Sequence, residues 1–147
     1  MLSASQLEQR LHRQIPLTQA IGLRVSRLDA QEIRLSAPLE NNFNHKLTAF
    51  AGSLYSAAVL AGWGLLASRL EALELHGHIV VQDANIRYLQ PVNGDIDARC
   101  RISDAAAFDR FINLFRHKSR ARILLETEIF NADAVAVQFS GNYVVHA

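Results

Sequence analysis

The sequence predicts an α+β domain in which an antiparallel sheet of about six strands wraps around one long, apolar central helix. Three observations carry that expectation. No residue from Leu47 to Ser68 is charged. Segments on both sides of this run alternate apolar with polar residues, the period of a half-buried strand. The chain has 147 residues, half of them hydrophobic, enough to bury one sizeable core but hardly two, so residues 1–147 read as a single domain.

Taken in order, Met1 to Arg13 carries Glu8, Arg10 and Arg13 and has no long apolar stretch, unlike a signal peptide. Ser5 and Glu8 stand at capping-box spacing, Leu7 and Leu11 lie one turn apart, and Pro16 stops the run, which predicts a short amphipathic helix. Leu23 and Val25 suggest a strand and Asp29-Ala30-Gln31 a turn. Ile33, Leu35 and Ala37 then alternate with Arg34 and Ser36, a strand with one buried face that Pro38 ends.

Pro38 to Phe50 is a polar loop, long for a compact domain, and loops of that length are often functional. It feeds the central helix, expected over Gly52 to Glu74 and closed by His76-Gly77. The uncharged run is long enough to span a bilayer. Gly52, Ser53, Ser56, Gly62 and Gly64 dilute it, however, and strands flank it, so a helix buried within a sheet is expected, with no membrane insertion.

Strands follow near His78–Leu89 and Asp95–Ile102, joined by a turn over Gln90 to Asp95. Ile96, Ala98, Cys100 and Ile102 share a face, with Asp97, Arg99 and Arg101 opposite. Asp104 to Lys118 reads as an amphipathic helix with Phe108, Phe111, Ile112 and Phe115 inside. Arg122–Phe130 and Ala134–Val145 close the chain around a hairpin turn at Asn131-Ala132-Asp133. A helix apolar all round must be covered all round. A sheet curling about it does so, which is the hot-dog fold. Pairing two such sheets edge to edge hides an open strand edge, so a homodimer or a higher oligomer is expected.

Composition narrows the function. With 15 basic and 14 acidic side chains the net charge is +1, too little to drive nucleic-acid binding by bulk charge. Cys100 is the only cysteine. It excludes a disulfide framework and a multi-cysteine metal site and fits a reducing, cytoplasmic compartment. His12, His76, His78, His117 and His146 show no ligand spacing, so no metal is expected.

Three stretches carry a resemblance. Ile15-Pro16-Leu17-Thr18, then Asn42-Phe43-Asn44-His45-Lys46 leading to Ala49-Phe50-Ala51-Gly52-Ser53-Leu54-Tyr55, and Ile86-Arg87-Tyr88-Leu89-Gln90-Pro91-Val92-Asn93-Gly94-Asp95 together resemble the YiiD C-terminal-type, thioesterase-like hot-dog family over nearly the whole chain. The middle stretch is the specific one. Although members were long labelled thioesterases, the resemblance implies decarboxylation of malonyl-acyl carrier protein to the acetyl thioester, a primer for fatty-acid synthesis. No acetyltransferase-like domain precedes these stretches, so the sequence looks like the stand-alone form. No cofactor is implied, because phosphopantetheine arrives as part of the substrate.

The residues bear on that chemistry directly. Ala51, Gly52 and Ser53 sit where the loop becomes the helix, and a helix start presents unpaired N–H groups suited to an oxyanion. Gly52 admits close approach of a thioester carbonyl or serves only helix packing. Hydrolysis needs an activated water and hence a base, yet the helix has no acid before Glu71 and the loop offers only Glu40. Decarboxylation needs only stabilisation of the enolate oxygen in dry surroundings.

Asn44 is the side chain expected to donate to that oxygen, its other reading being a turn residue. His45 is a candidate donor or proton source. Phe50, Ala51, Tyr55, Gln82, Asn85 and Tyr88 are expected to line the acyl pocket, and Trp63 to belong to the core. Arg116, Lys118, Arg120 and Arg122 form the one basic cluster and are expected to steer an acidic acyl carrier protein, or coenzyme A, to the site.

Overall fold

Ser3 starts the first helix. Its hydroxyl accepts the Gln6 N–H at 3.1 Å while the Gln6 side chain accepts the Ser3 N–H at 2.9 Å. The capping box therefore lies two residues before the Ser5/Glu8 pair that spacing suggested. Glu8 instead joins two elements. Its carboxylate accepts the Val25 N–H at 2.9 Å and ties helix α1 (Ala4–Gln14) to strand β1 (Arg24–Leu28).

The computed structural model describes all of residues 1–147. After α1 come a short helix α2 (Leu17–Ala20), β1, β2 (Glu32–Ala37), the central helix α3 (Ala51–Ala72), β3 (His78–Tyr88), β4 (Ile96–Arg101), α4 (Ala105–Lys118), β5 (Arg120–Asn131) and β6 (Ala134–His146). The six strands form one antiparallel sheet in the order β1-β2-β4-β5-β6-β3. It wraps around α3, as the alternation of the strands required. The turn between β1 and β2 is held by Asp29, whose carboxylate accepts the N–H groups of Gln31 and Glu32 and sits below its ordinary pKa, the Gln31 bond first among the causes.

Two placements differ from the expected order. Strand β3 does not form a hairpin with β4; it pairs only with β6, at the far edge of the sheet. The segment after Tyr88 is thus a crossover rather than a hairpin turn. The central helix is also closed differently: it ends at Ala72, and Glu74, at φ 55°, takes the left-handed turn expected of His76-Gly77. Gly77 has another use, because a Cβ there would press on Val145 and Phe115.

Leu54, Leu60, Leu65 and Leu66 of α3 are buried, as a core helix demands, and two-thirds of its most apolar stretch lies inside the fold. Tyr143 crosses from β6 to donate its hydroxyl to the Val59 carbonyl at 2.8 Å, over Gly62, where no Cβ fits. Coverage is not complete, however. Gly52 and Tyr55 are exposed. Trp63 is half-buried rather than core, its indole N–H donating to the Ile79 carbonyl at 3.2 Å. This open side lies along β3.

Helix α4 starts at Asp104, which accepts the Ala107 N–H. It buries the four expected residues Phe108, Phe111, Ile112 and Phe115. Cys100 lies in the core, where burial pushes its thiol up to about 12.

Candidate functional site at the start of helix α3

The loop feeding α3 is more ordered than its polar composition suggests. A single 3-10 turn occupies Leu39–Asn41. Asn42 is buried, and its side-chain amide donates to the carbonyls of Ile21 (2.9 Å) and Pro38 (2.7 Å) while its backbone carbonyl accepts the Phe50 N–H at 2.7 Å. This asparagine, which sequence reasoning missed, positions the helix start. Only its burial reveals it, because Asn41, Asn42 and Asn44 look alike in the sequence.

Phe43 and Ala49 then form an isolated bridge that closes a small knot around Asn44. The Asn44 side-chain oxygen accepts the N–H groups of Lys46 (2.8 Å) and Thr48 (3.2 Å), and its Nδ2 donates to the Thr48 hydroxyl at 3.0 Å. The amide is committed to the knot, with one Nδ2 hydrogen left over. Leu47 holds φ 63°, a left-handed conformation that costs a leucine strain, with its side chain 69% exposed. His45 and Lys46 project into solvent.

Phe50 is the N-cap of α3 and offers no side-chain cap. The first helical bond runs from the Leu54 N–H to the Phe50 carbonyl, and the N–H groups of Ala51, Gly52 and Ser53 make no hydrogen bond within the chain. Three donors converge at the positive end of a 22-residue helix. The Phe50 ring folds over Gly52 so closely that a Cβ there would strike it. The Tyr88 hydroxyl donates to the Ala51 carbonyl, and Tyr55 meets Phe139 edge-on at 5.6 Å between ring centres. Burial, and then Tyr55 nearby, raises the Tyr88 pKa, so it stays a neutral donor. Phe43, Leu47, Phe50, Tyr55, Tyr88 and Leu89 form an exposed apolar rim around this point.

The structure therefore brings together Asn44, His45, Phe50, Ala51, Gly52, Ser53, Tyr55 and Tyr88. It does not bring Gln82 or Asn85 to them. A bulge between Val81 and Asp83 resets the alternation of β3. Gln82 meets Arg122 on the outer face of the sheet, and Asn85, opposite Ser140, borders a cavity of about 620 Å³ on that same face. The cavity is lined by arginines and glutamates, Arg99 and Glu128 among them, and lies on the side of the sheet away from α3. The basic cluster is also displaced. Arg116 and Lys118 end α4 and Arg120 faces His146 at the start of β5, beside the C-terminal end of α3 rather than the N-terminal one.

An antiparallel sheet wrapped around an apolar helix, with free amides at the helix start beneath a knotted loop, defines a thioesterase-like hot-dog domain. The family described as "Putative thioesterase (yiiD_Cterm)" matches residues 4–147, and the chain belongs to it. A protein of unknown function from Chlorobaculum tepidum TLS is 36% identical, with a TM-score of 0.92 over 97% of this chain and 93% of that one. A "putative thioesterase" from Shewanella oneidensis is 31% identical, with a TM-score of 0.89 over 98% and 97%. A thioesterase from Haemophilus influenzae shares the fold at 14% identity, with a TM-score of 0.77 over 99% and 91%.

Proposed function

We propose that this thioesterase-like protein decarboxylates a malonyl thioester carried on phosphopantetheine, with acyl carrier protein as the favoured carrier and coenzyme A as the other. One observation carries the reading: three unpartnered amides converge at the start of a helix that has no acid before Glu71. The bond between the thioester's α-carbon and its carboxylate breaks, carbon dioxide leaves, and the electron pair moves to the enolate oxygen, where the N–H groups of Ala51, Gly52 and Ser53 stabilise it. Protonation of the α-carbon, by water or by His45, gives the acetyl thioester. Asn44 shapes the knot that holds this start in place and offers its remaining Nδ2 hydrogen to the same oxygen.

Hydrolysis is the second reading, favoured by the family description and by the Shewanella oneidensis relative. It requires a base to activate water, and His45 is the candidate on the loop. Mass spectrometry of malonyl-acyl carrier protein after incubation separates the two. Acetyl-carrier supports decarboxylation, free thiol supports hydrolysis, and unchanged malonyl-carrier leaves a non-catalytic thioester binder. We place the protein in the cytoplasm, as a homodimer, with the lone buried Cys100 as the compartment argument.

A further inference from the structure

Gln82 and the strand half of the basic cluster, Arg120 and Arg122, meet on the outer face of the sheet, away from the start of α3. Register names their neighbours. Arg120 stands opposite His146, and His146 opposite His78. Two residues along the same face, Arg122 stands opposite Val144, and Val144 opposite Val80. Opposed residues share a face and adjacent strands lie about 4.8 Å apart, so two guanidinium groups and two imidazoles crowd one patch. The His78 and His146 rings are 5.4 Å apart between centres.

The two arginines have no counter-charge. Neither forms an ion pair within the chain. Asp83, the first acid reached along this face of β3, is occupied by the Asn142 Nδ2 at 2.6 Å. Arg116 and Lys118 have a use in the last turn of α4, whose carbonyl end favours cations. Arg120 and Arg122, on a strand, have no such use. The bulge in β3 shapes the patch. Gln82 is its extra residue, and its Oε1 accepts a hydrogen bond from the Arg122 Nη1 at 3.3 Å, which leaves the Gln82 Nε2 free to donate. His146 meets the Ala147 oxygen through Nδ1 at 3.2 Å and keeps Nε2 free. Gln82, Arg120, Arg122 and the outward-facing Val144, only 3% exposed, line a pocket of about 260 Å³.

We infer that this pocket binds a phosphate group, at a site separate from the start of α3. The forks of Arg120 and Arg122 hold the phosphate oxygens, Gln82 donates through Nε2, and the His146 imidazole flanks them. Two uncompensated guanidinium groups match a dianion, whereas a single carboxylate would leave one of them unpaired. The volume admits a phosphate and a few attached atoms, not a whole nucleotide. A dented pocket on an apolar floor also differs from the broad, level surface that would grip an acidic protein. The site does not depend on the decarboxylase reading.

Inorganic phosphate titrated into the isotope-labelled protein at constant ionic strength tests it by NMR. The Gln82 side-chain amide and the backbone amides of Ala121 to Ile123 should shift and saturate. Arg122→Gln should weaken binding roughly tenfold or more, and Arg120→Gln combined with it should abolish saturation. Arg122→Lys keeps the charge and the stem over Val144 but loses the fork, so it should fold normally and still bind several-fold more weakly. Arg101→Gln removes an exposed arginine elsewhere on the same face and should change affinity less than about twofold. Competition by coenzyme A and dephospho-coenzyme A identifies the source of the phosphate. Stronger displacement by coenzyme A assigns the site to its nucleotide phosphate, and no difference assigns it to a free phosphate or a small ester. Shifts that never saturate overturn the proposal, as does an Arg101→Gln loss equal to that of Arg122→Gln. Binding of apo-acyl carrier protein, which lacks the arm's phosphate, through Arg120 and Arg122 without any phosphate binding overturns it too.

Discussion

The Tyr88 hydroxyl donates to the Ala51 carbonyl at 3.1 Å, joining the last residue of the edge strand to the first residue of the central helix. The helix start is thereby held from the sheet as well as from the loop. Tyr88→Phe removes one hydrogen bond at a half-exposed position and should lower stability by about 1 kcal/mol or less. Turnover of malonyl-carrier should fall several-fold, because the amides beside Ala51 lose a constraint. A normal rate together with a normal melting temperature would show the bond to be idle.

Asn44 separates a role in shape from a role in chemistry. Asn44→Ala deletes every side-chain bond of the knot and should cost about 1–3 kcal/mol, read as a lower melting temperature. Asn44→Asp keeps the acceptor bonds from Lys46 and Thr48, so it should fold almost normally. Its carboxylate would repel a malonyl group and an enolate, so decarboxylation should drop by roughly 10²–10³ if the amide acts as an oxyanion donor. A folded Asn44→Asp enzyme with near-normal rate would confine Asn44 to the loop.

Gly62 is constrained by packing. A Cβ there would meet the Tyr143 ring and hydroxyl. Gly62→Ala should destabilise by about 1–3 kcal/mol, measured by urea unfolding. Gly62→Ala with Tyr143→Leu should cost less than the sum of the two single changes, because both disturb one contact.

Stability should fall at high pH. The Cys100 thiol is raised to about 12 by burial, and Tyr143 is raised by burial as well. Well below its unfolded pKa of about 8.5 the thiol is neutral in both states and adds no slope. Above that the unfolded chain loses a proton that the native chain keeps, so stability declines as pH rises towards 12, at up to about 1.4 kcal/mol per unit for this group. Melting temperatures of wild type and Cys100→Ala between pH 8 and 11 should show a shallower decline in the variant. Parallel curves would remove Cys100 as a cause.

Periodicity made faces legible but not neighbours. The inner residues of α4 and the buried sides of β2, β4 and β5 follow from the alternation of apolar positions, and so does the burial of α3. Nothing in that alternation says that β3 pairs with β6, because a strand with one edge free reads like any other. The bulge after Val81 was equally hidden. Alternation alone already sets Asn85 opposite Tyr88; the bulge decides which face each takes, Tyr88 inner and Asn85 outer, and leaves Gln82 on the outer side with Asn85. The basic cluster is contiguous in sequence, yet contiguity does not say which end of the helix it will sit beside. The helix start was legible because a glycine-containing junction between a polar loop and an uncharged run has few other meanings. The knot was not, since its bonds depend on the Phe43–Ala49 bridge.

The position of β3 also orders events during synthesis. Its only strand partner within the chain is β6, residues 134–146, so a nascent chain carries β3 through more than forty residues before that partner emerges. Throughout that interval the apolar α3 and the unpaired strand beside it are exposed together, the combination most prone to capture by other chains. Closing the sheet is a late, long-range step. Ribosome-bound chains ending before residue 134 should accordingly engage chaperones, and release should coincide with arrival of the last strand.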